Sequence, residues 1–444
     1  MKRRSFMTSG LGSVALGSAA LAGCGGGGTG GRGAKVTEIA GLGLKDLRDE
    51  LAGMLFDELL PFWDKHGIDH EQGGFMHTLA HDGRLVSGDK KMWFQGRGIW
   101  FYSFLYNNFG KDDKYLDIAR KTREFVLAHG REPSGLFSSL LGRDGKVLEP
   151  ASADFYGGLF VAEGLSEYAA ATGDEESLEI AVETLFQVVD LLDQGVNLEQ
   201  RDGKTLRTQG TWMVPLLFCT QTLRHAVDPR LDKLAARCVD AIINKHWNPE
   251  IGLNNEYLYQ DGSRPGGDLE NYCWIGHSIE TLWMVMDEAL RSGDSQLVDT
   301  CIERIKRHME IGWDDVYDGL VSGVNVDHGD FDWGINQPVG TDFEYHAVGE
   351  YSYLRSQWSH NEVLVAMLMI LENTGAQWAA DWFGRFYRYT VEKFTLEPYS
   401  YPLGILFSDR KVTSAMNITR KDNYHPPRQL MLNILALDRM IKST

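Results

Sequence analysis

A repeated pattern is the feature of this sequence that most constrains its fold. Past residue 43, a helical stretch, a short hairpin and a second helical stretch follow one another six times. Asp-Gly pairs between apolar stretches, as in Asp82-Gly83 and Asp144-Gly145, are typical of tight hairpin turns. The hairpins open at Gly74, Gly135, Gly195, Gly252, Gly319 and Gly404, which are 61, 60, 57, 67 and 85 residues apart. A period of this size indicates a repeated supersecondary unit.

Twelve helical stretches are predicted, because apolar residues recur every three or four positions. The stretches lie near residues 44–66, 97–109, 112–129, 154–172, 175–194, 211–226, 229–247, 275–292, 295–311, 358–374, 376–394 and 426–442. Six helix–hairpin–helix units predict an all-α fold, an (α/α)6 barrel with short β-hairpin loops over one end. An open solenoid is the alternative, but the sequence has no obvious polar capping repeat, and this favours closure.

The N-terminal segment does not fit the repeat. Residues 1–23 carry Lys2, Arg3 and Arg4 before a short, mildly apolar run, which is typical of an export signal. Arg3-Arg4 resembles a twin-arginine signal, and Leu21-Ala22-Gly23-Cys24 resembles a bacterial lipobox whose cysteine is lipidated. An ordinary cleaved signal with an incidental Cys24 is the alternative.

The chain is therefore predicted to consist of three segments. Residues 1–23 are the signal, residues 24–43 are a Gly-rich tether, and residues 44–444 form a single barrel domain. We expect an exported bacterial lipoprotein on the periplasmic or cell-surface side. Only the lipid anchor would attach the protein to a membrane, since no other stretch is apolar enough to span a bilayer.

The charge balance argues against a nucleic-acid partner. The chain has 44 Lys and Arg against 62 Asp and Glu, a formal net charge of −18, whereas proteins that bind nucleic acid usually present a basic face. The aromatic load of 12 Trp, 17 Tyr and 20 Phe beside these acids suits a carbohydrate site. The sequence contains no phosphate-binding loop, zinc-ligand spacing or nucleophile elbow, so no metal site is expected.

Candidate site residues fall at equivalent places in the repeat, where the even-numbered helices begin. They are Trp93 and Arg97 in the second helix, Tyr156 in the fourth, Trp212 in the sixth, His277 and Glu280 in the eighth, Trp358 in the tenth, and His425 just before the twelfth. If the even helices form the inner ring, these side chains converge in one bowl. The positive helix ends would favour negative charge that develops there.

Each candidate also has a purely structural interpretation. His277 and Glu280 are three residues apart and share a helix face, so Glu280 is predicted to orient the imidazole, but a buried structural pair is equally compatible. Arg97 needs an anionic or polar partner, which could be a structural salt bridge. Trp358 and Trp212 could stack on a sugar ring or belong to the core.

Several motifs together resemble those of the N-acylglucosamine 2-epimerase family, which also includes cellobiose 2-epimerases and aldose–ketose isomerases. The stretch from Trp93 to Trp100 resembles the family's Trp-x-Gln-x-Arg-x-x-Trp motif, and Gly276 to Trp283 resembles Gly-His-x-Ile-Glu-x-x-Trp. Arg355 to Glu362 and His425 to Arg428 resemble two further motifs. Matching stretches extend from about residue 63 to residue 437.

The resemblance implies an (α/α)6 barrel, no cofactor, and proton transfer at C2 of a mono- or oligosaccharide. His277 and His425 would be the acid/base pair on opposite faces of the ring-opened sugar, and Glu280 would orient His277. Arg97 would stabilise the enediolate oxygens. Tyr156 and Trp358 would hold the sugar, with Trp93 and Trp212 as further binding candidates. The protein is expected to be a monomer or a homodimer.

Departures from the family pattern keep other functions open. Gln357 stands where many relatives have a second tryptophan, and the long segment from Trp313 to Leu354 is predicted to form a lid. One alternative is a glycoside hydrolase or lyase on the same barrel, which needs a carboxylate pair. Its candidates are Asp154, Asp330, Asp332 and Glu344. The other alternative is a non-catalytic glycan-binding lipoprotein.

Overall fold

The computed structural model describes residues 36–325, 354–395, 401–407 and 419–443. The predicted export signal, Cys24, most of the tether and most of the predicted lid lie outside the described residues. So do three of the carboxylates proposed for a hydrolase: Asp330, Asp332 and Glu344. Among the helices that are described, none is long and apolar enough to cross a membrane.

The described residues form twelve long helices, as the repeat predicts. They are α1 (Leu44–Gly53), α2 (Met92–Asn108), α3 (Asp113–Phe125), α4 (Tyr156–Thr172), α5 (Glu175–Asp193), α6 (Gly210–Thr222), α7 (Pro229–Asp240), α8 (Ile275–Ser292), α9 (Ser295–Gly312), α10 (Gln357–Thr374), α11 (Gln377–Phe394) and α12 (His425–Ser443). Three outer helices continue into π-helical turns. After α1 come the π-helical Met54–Leu59, the short α-helical Leu60–Phe62 and the π-helical Trp63–Gly67. After α3 comes Val126–Gly130, and after α7 comes Ala241–Lys245.

The start of α2 differs from the prediction. The helix begins at Met92, not near residue 97, even though Gly96 and Gly98 are poor helix formers. Tertiary contacts decide the boundary. The side chain of Gln95 accepts a hydrogen bond from the Phe75 amide at 2.8 Å and donates one to the Phe75 carbonyl at 2.9 Å, which ties the first helical turn to the preceding hairpin.

The even-numbered helices form a closed inner ring. Each one contacts the next along the chain, and α12 contacts α2, which closes the ring. Every odd helix packs outside: α1 on α12, α3 on α2, α5 on α4, α7 on α6, α9 on α8 and α11 on α10. The inner helices are buried on nearly all sides, whereas the outer helices keep an exposed polar face. The all-α (α/α)6 barrel is confirmed.

Two glycines set the distance between α2 and α4. A Cβ atom on Gly96 would lie 2.3 Å from the backbone of Phe160, and one on Gly164 would lie 2.4 Å from the carbonyl oxygen of Gly96. Any side chain at either position would therefore force these helices apart. Their close packing fixes the relative placement of Arg97 and Tyr156, near the starts of the two helices.

Short antiparallel strands connect the helices; the first two precede the outer helix α1, and the others lie between an outer helix and the next inner helix, at the end of the barrel where the inner helices begin. They are β1 (Glu38–Ile39), β2 (Leu42–Gly43), β3 (Thr78–Leu79), β4 (Leu85–Ser87), β5 (Lys90–Lys91), β6 (Leu140–Leu141), β7 (Val147–Glu149), β8 (Gln200–Arg201), β9 (Lys204–Thr208), β10 (Trp247–Asn248), β11 (Leu253–Asn254), β12 (Tyr257–Tyr259), β13 (Tyr272–Trp274), β14 (Gly323–Asn325), β15 (Leu354–Ser356) and β16 (Ile405–Phe407). Three predicted Asp-Gly turns connect β3 to β4, β6 to β7 and β8 to β9, with Gly83, Gly145 and Gly203 at positive φ.

The strands also join neighbouring repeats, which the sequence did not predict. The strand that leads into an inner helix pairs with a strand of the following repeat: β5 with β6, β9 with β12, β13 with β14, and β15 with β16. A bridge between Thr78 and Arg420 connects the first repeat to the segment before α12. These pairings hold the starts of the inner helices in place around one opening.

Candidate active site

One cavity of about 720 Å³ opens at this end of the barrel. Residues from the starts of all six inner helices line it, so the predicted convergence is confirmed. Seven of the eight predicted site residues are in its wall: Trp93, Arg97, Tyr156, His277, Glu280, Trp358 and His425. Backbone amides at the starts of these helices point toward this end and favour negative charge in the cavity.

The carboxylate that holds His277 is Glu256, not Glu280. The Nδ1 atom of His277 lies 3.0 Å from Oε1 of Glu256, a fully buried residue in the loop between β11 and β12. The backbone carbonyl of Glu256 accepts a hydrogen bond from the Gln209 amide at 3.1 Å, which fixes this loop against the start of α6. The prediction that Glu280 orients His277 is therefore wrong, because Glu256 holds Nδ1 of the ring and Glu280 pairs with Arg428.

The charge of Glu256 changes the acidity of His277. Burial alone would lower the pKa of the imidazole, but the charge and hydrogen bond of Glu256, together with the charge of Glu280, outweigh burial and raise the pKa above its ordinary value. His277 therefore retains a proton to higher pH than a free histidine does. An imidazole with such a partner is well suited to accept and return a proton near neutral pH.

Glu280 instead belongs to a buried ion-pair network with Arg428 and Glu362. Arg428 of α12 donates to Oε1 of Glu280 at 2.5 Å and lies 2.8 Å from Oε1 of Glu362. Burial would raise the pKa of Glu280, but Arg428, His425 and His277 outweigh it and hold the pKa below the ordinary value. Glu280 also lies 3.9 Å from Nε2 of His425, so its charge faces the second histidine.

His425 has its own carboxylate partner, Asp422. Asp422 lies three residues earlier, and its Oδ2 is 2.5 Å from Nδ1 of His425. Burial works against the charge on Asp422, yet His425 and nearby arginines hold its pKa well below the ordinary value. His277 and His425 are thus each held at Nδ1 by a carboxylate. A partner at Nδ1 fixes the orientation of the ring and leaves Nε2 for a ligand.

Arg97 is almost completely buried in the cavity wall and connects to the same carboxylate. Its Nη1 lies 4.0 Å from Oδ1 of Asp422, and its guanidinium carbon lies 4.0 Å above the ring of Phe160 and 4.7 Å above that of Tyr424. The aromatic rings desolvate the guanidinium without neutralising it. A positive charge with few polar partners is therefore available to an oxygen that carries developing negative charge.

Aromatic side chains surround the two histidines. The ring centroid of Trp358 lies 5.4 Å from that of His277 and 5.6 Å from that of His425. Trp274, the residue before α8, packs at 4.0 Å from His277. The Tyr156 hydroxyl donates to the carbonyl of Gly210 at 2.8 Å, which leaves its oxygen able to accept.

Trp212 is not in the cavity. Its ring packs 3.4 Å from the guanidinium carbon of Arg207 and 5.1 Å from that of Arg237, between α6 and the outer helix α7. The prediction that Trp212 binds substrate is therefore wrong. The geometry of α6 explains this. Gly210, Thr211 and Met213 line the cavity, and Trp212, which lies between them in the sequence, points to the outer side of the helix.

The hydrolase alternative finds little support in the described carboxylates. Asp154 accepts hydrogen bonds from the Trp93 indole at 2.7 Å and from the Tyr156 amide at 2.9 Å, and it is not among the described residues that line the cavity. The carboxylates in the wall are Glu256, Glu280 and Asp422, and each is paired with a histidine or an arginine.

One group of side chains has a geometry compatible with a metal ion. Glu280, Glu362 and His425 offer ligand atoms within 4.8 Å of one another. However, the guanidinium of Arg428 lies within 2.8 Å of both carboxylates and already supplies the positive charge that they require. The residues present therefore suit an internal ion-pair network better than a cation site.

Comparison with known proteins identifies the family of the chain. The family model for N-acylglucosamine 2-epimerase (GlcNAc 2-epimerase) matches residues 73–427. The chain belongs to this family. The family model covers His277, His425 and Arg97 together with the carboxylate partners of the two histidines, so these residues lie within the shared region.

Relatives of this family extend over most of the chain. The N-acylglucosamine 2-epimerase of Rattus norvegicus is 27% identical over 396 residues, which cover 86% of this chain and 89% of the relative. The cellobiose 2-epimerase of Bacteroides fragilis is 25% identical over 273 residues, 57% of this chain and 68% of the relative. The chain is an enzyme of the isomerase class.

A solved structure supports the fold. The cellobiose 2-epimerase of Spirochaeta thermophila superposes with a TM-score of 0.71 at 19% identity, and the match covers 90% of this chain and 98% of that one. At this level of identity the likeness concerns the fold alone.

Proposed function

We propose that this enzyme epimerises or isomerises a saccharide by proton transfer at C2, with His277 and His425 as the acid/base pair. The observation that carries the proposal is their arrangement. Both histidines line one cavity, each with a carboxylate at Nδ1, and the ring of Trp358 lies about equally far from both, at 5.4 and 5.6 Å. Two oriented imidazoles can address opposite faces of one ligand.

The chemistry follows from the groups in the wall. One histidine removes the proton at C2 of the ring-opened aldose, and the electron pair moves onto the carbonyl oxygen to give an enediolate. Arg97 stabilises that negative charge. The other histidine donates a proton to the opposite face of C2, which inverts the centre and re-forms the C1 carbonyl. Donation to C1 instead gives a ketose, with the proton of the C2 hydroxyl passing to the oxygen on C1. Tyr156, Trp358 and Trp93 hold the sugar.

Product analysis tests the proposal directly. Purified enzyme is incubated separately with N-acetyl-D-glucosamine, cellobiose and D-mannose, and the products are separated by anion-exchange chromatography. We expect the C2 epimer or the corresponding ketose from at least one sugar. Release of glucose from cellobiose without an epimer would instead support the hydrolase alternative, and binding without any product would support a glycan-binding protein.

We also propose that the enzyme is exported and anchored through Cys24. The support is the sequence alone, namely the basic start of residues 1–23 and the lipobox-like Leu21 to Cys24. Expression in a bacterium with labelled palmitate tests this. We expect label in the membrane fraction for the natural chain and no label for Cys24→Ala. Equal labelling of both, or none of either, would contradict the proposal.

A further inference from the structure

A third histidine lies in the wall of the same cavity. The ring of His77 stacks on Phe94, with 3.9 Å between the centroids and 6° between the planes. The backbone carbonyl of His77 accepts a hydrogen bond from the Lys421 amide at 2.8 Å. His77 is thus held where the first repeat meets the segment before α12, and both its backbone and one ring face are fixed.

The polar atoms of this ring have no partner among the described residues. Nδ1 of His77 is fully enclosed and has no hydrogen bond, although the side chain is only 7% exposed. The other two cavity histidines differ in this respect, because His277 and His425 each bind a carboxylate. Burial of an unpaired polar group costs free energy, so the arrangement calls for an explanation.

The surroundings also fix the protonation state of His77. Burial, with the positive charges of Arg420 and Lys91, lowers its pKa to about 3, so the ring is neutral near pH 7 and cannot join the acid/base pair. A neutral imidazole carries one proton. If the proton were on Nδ1, a buried N–H group would have no acceptor. The proton therefore belongs on Nε2, the nitrogen that a ligand can reach.

We propose that His77 is a specificity residue that donates a hydrogen bond from Nε2 to one hydroxyl oxygen of the bound saccharide. A sugar hydroxyl supplies the acceptor that the described protein residues do not, and a neutral donor stacked on an aromatic ring suits a neutral acceptor. The inference rests on the proposed function for the class of ligand, but it concerns binding and not proton transfer.

Two substitutions test the inference in the full-length protein. In His77→Phe the ring remains able to stack on Phe94 but loses both nitrogens, and in His77→Gln an amide donor is placed near the position of Nε2. Binding of N-acetyl-D-glucosamine and of cellobiose is measured by calorimetry, and stability by thermal unfolding. We expect roughly 2- to 10-fold weaker binding for His77→Phe, and recovery of at least half of that loss for His77→Gln.

Stability separates this role from a structural one. Since His77 makes no side-chain hydrogen bond to the described residues, His77→Phe should unfold at the same temperature as the natural protein or higher. His66→Phe is the matched control, because His66 also packs beside a phenylalanine, 5.3 Å from Phe62, but is not among the described residues that line the cavity. The control should leave sugar binding unchanged.

Monodeoxy analogues of glucose, which each lack one hydroxyl, complete the test. If His77 binds one hydroxyl, a single analogue binds equally well to the natural protein and to His77→Phe. Two results would overturn the inference. One is an unchanged affinity of His77→Phe for the parent sugar. The other is that removal of each hydroxyl weakens binding to the natural protein and to His77→Phe by the same factor. Binding that depends on His77 in a protein that forms no C2 epimer or ketose would contradict the proposed function alone. Binding of no sugar by the natural protein would contradict both.

Discussion

Glu256 lies 3.0 Å from Nδ1 of His277 and raises the pKa of that imidazole, although the two residues are on different elements and 21 positions apart. The carboxylate on the same helix face, Glu280, pairs with Arg428. The identity of the orienting carboxylate matters, because it decides which substitution should change the pH dependence of the enzyme.

Replacement of Glu256 by glutamine should shift that pH dependence. Because the charge of Glu256 helps to raise the pKa of His277, its loss should lower this pKa and move the limb of the kcat/KM profile that reports His277 to lower pH. We expect kcat/KM to fall by roughly 10- to 100-fold. Initial rates between pH 5 and pH 9 measure both effects. Glu250→Gln, at a position whose side chain is 78% exposed, is the control, and an unshifted profile for Glu256→Gln would contradict the role of Glu256.

Asp422 should act through His425, whose Nδ1 it holds. Asp422→Asn leaves the imidazole of His425 without its charged partner, so we expect kcat to fall by roughly 10- to 100-fold. Because the two residues act as a unit, the double variant with His425→Asn should be no slower than His425→Asn alone. Steady-state kinetics of the two single variants and the double variant provide the measurement. Independent, multiplicative losses would show that Asp422 has a separate role.

The two tryptophans predicted to bind substrate should behave differently. Trp358→Ala removes a ring beside both histidines and should raise KM several-fold. Trp212→Ala should leave KM unchanged, but it should destabilise the fold by roughly 0.5–2 kcal/mol because it removes the ring that packs against Arg207. Kinetics and urea unfolding of both variants test this. A KM effect for Trp212→Ala as large as that for Trp358→Ala would contradict the placement of Trp212 outside the cavity.

A buried acid below the cavity should make stability depend on pH. Burial raises the pKa of Glu163 to about 7 from its ordinary 4.5, although Tyr424 donates to both carboxylate oxygens, at 2.7 and 2.8 Å. The folded state therefore binds this proton more tightly than the unfolded state does. The stability that Glu163 contributes is complete below about pH 4.5 and is lost as the pH rises toward 7.

Glu163→Gln should remove this dependence. Glutamine stays neutral and can still accept from Tyr424. Relative to the natural protein, the variant should therefore gain stability between pH 5 and pH 8, by at most about 3 kcal/mol. Chemical unfolding at the two pH values measures the difference. A constant difference between the two proteins at both pH values would mean that Glu163 does not titrate in this range.

The sequence was sufficient for the features that depend on periodicity. The period of the repeat predicted the closed ring, and positions at the starts of the even helices predicted most of the cavity wall, including Arg97 and His277. Trp212 was misplaced because the exact start of α6 decides whether a side chain points inward. A shift of one position rotates it by about 100°.

Contacts between residues of different repeats could not be predicted from the sequence. Glu256 reaches His277 because β12 pairs with β9 of the preceding repeat, and nothing in the local pattern gives that register. His77 likewise enters the wall through backbone contacts with the segment before α12. Asp422 could have been found, since it lies three residues before His425, the spacing at which Asp residues often cap a helix start.

Exchange of the C2 proton with solvent reports directly on proton transfer by His277 and His425. The natural protein, His277→Asn and His425→Asn are incubated in D2O with N-acetyl-D-glucosamine and with cellobiose, and deuterium at C2 is followed by NMR. We expect incorporation at C2 by the natural protein with at least one of these sugars, and a loss of roughly 100-fold or more in each variant. Exchange that survives in both variants, or a product that the natural protein forms without any deuterium at C2 or C1, would contradict the two-histidine mechanism.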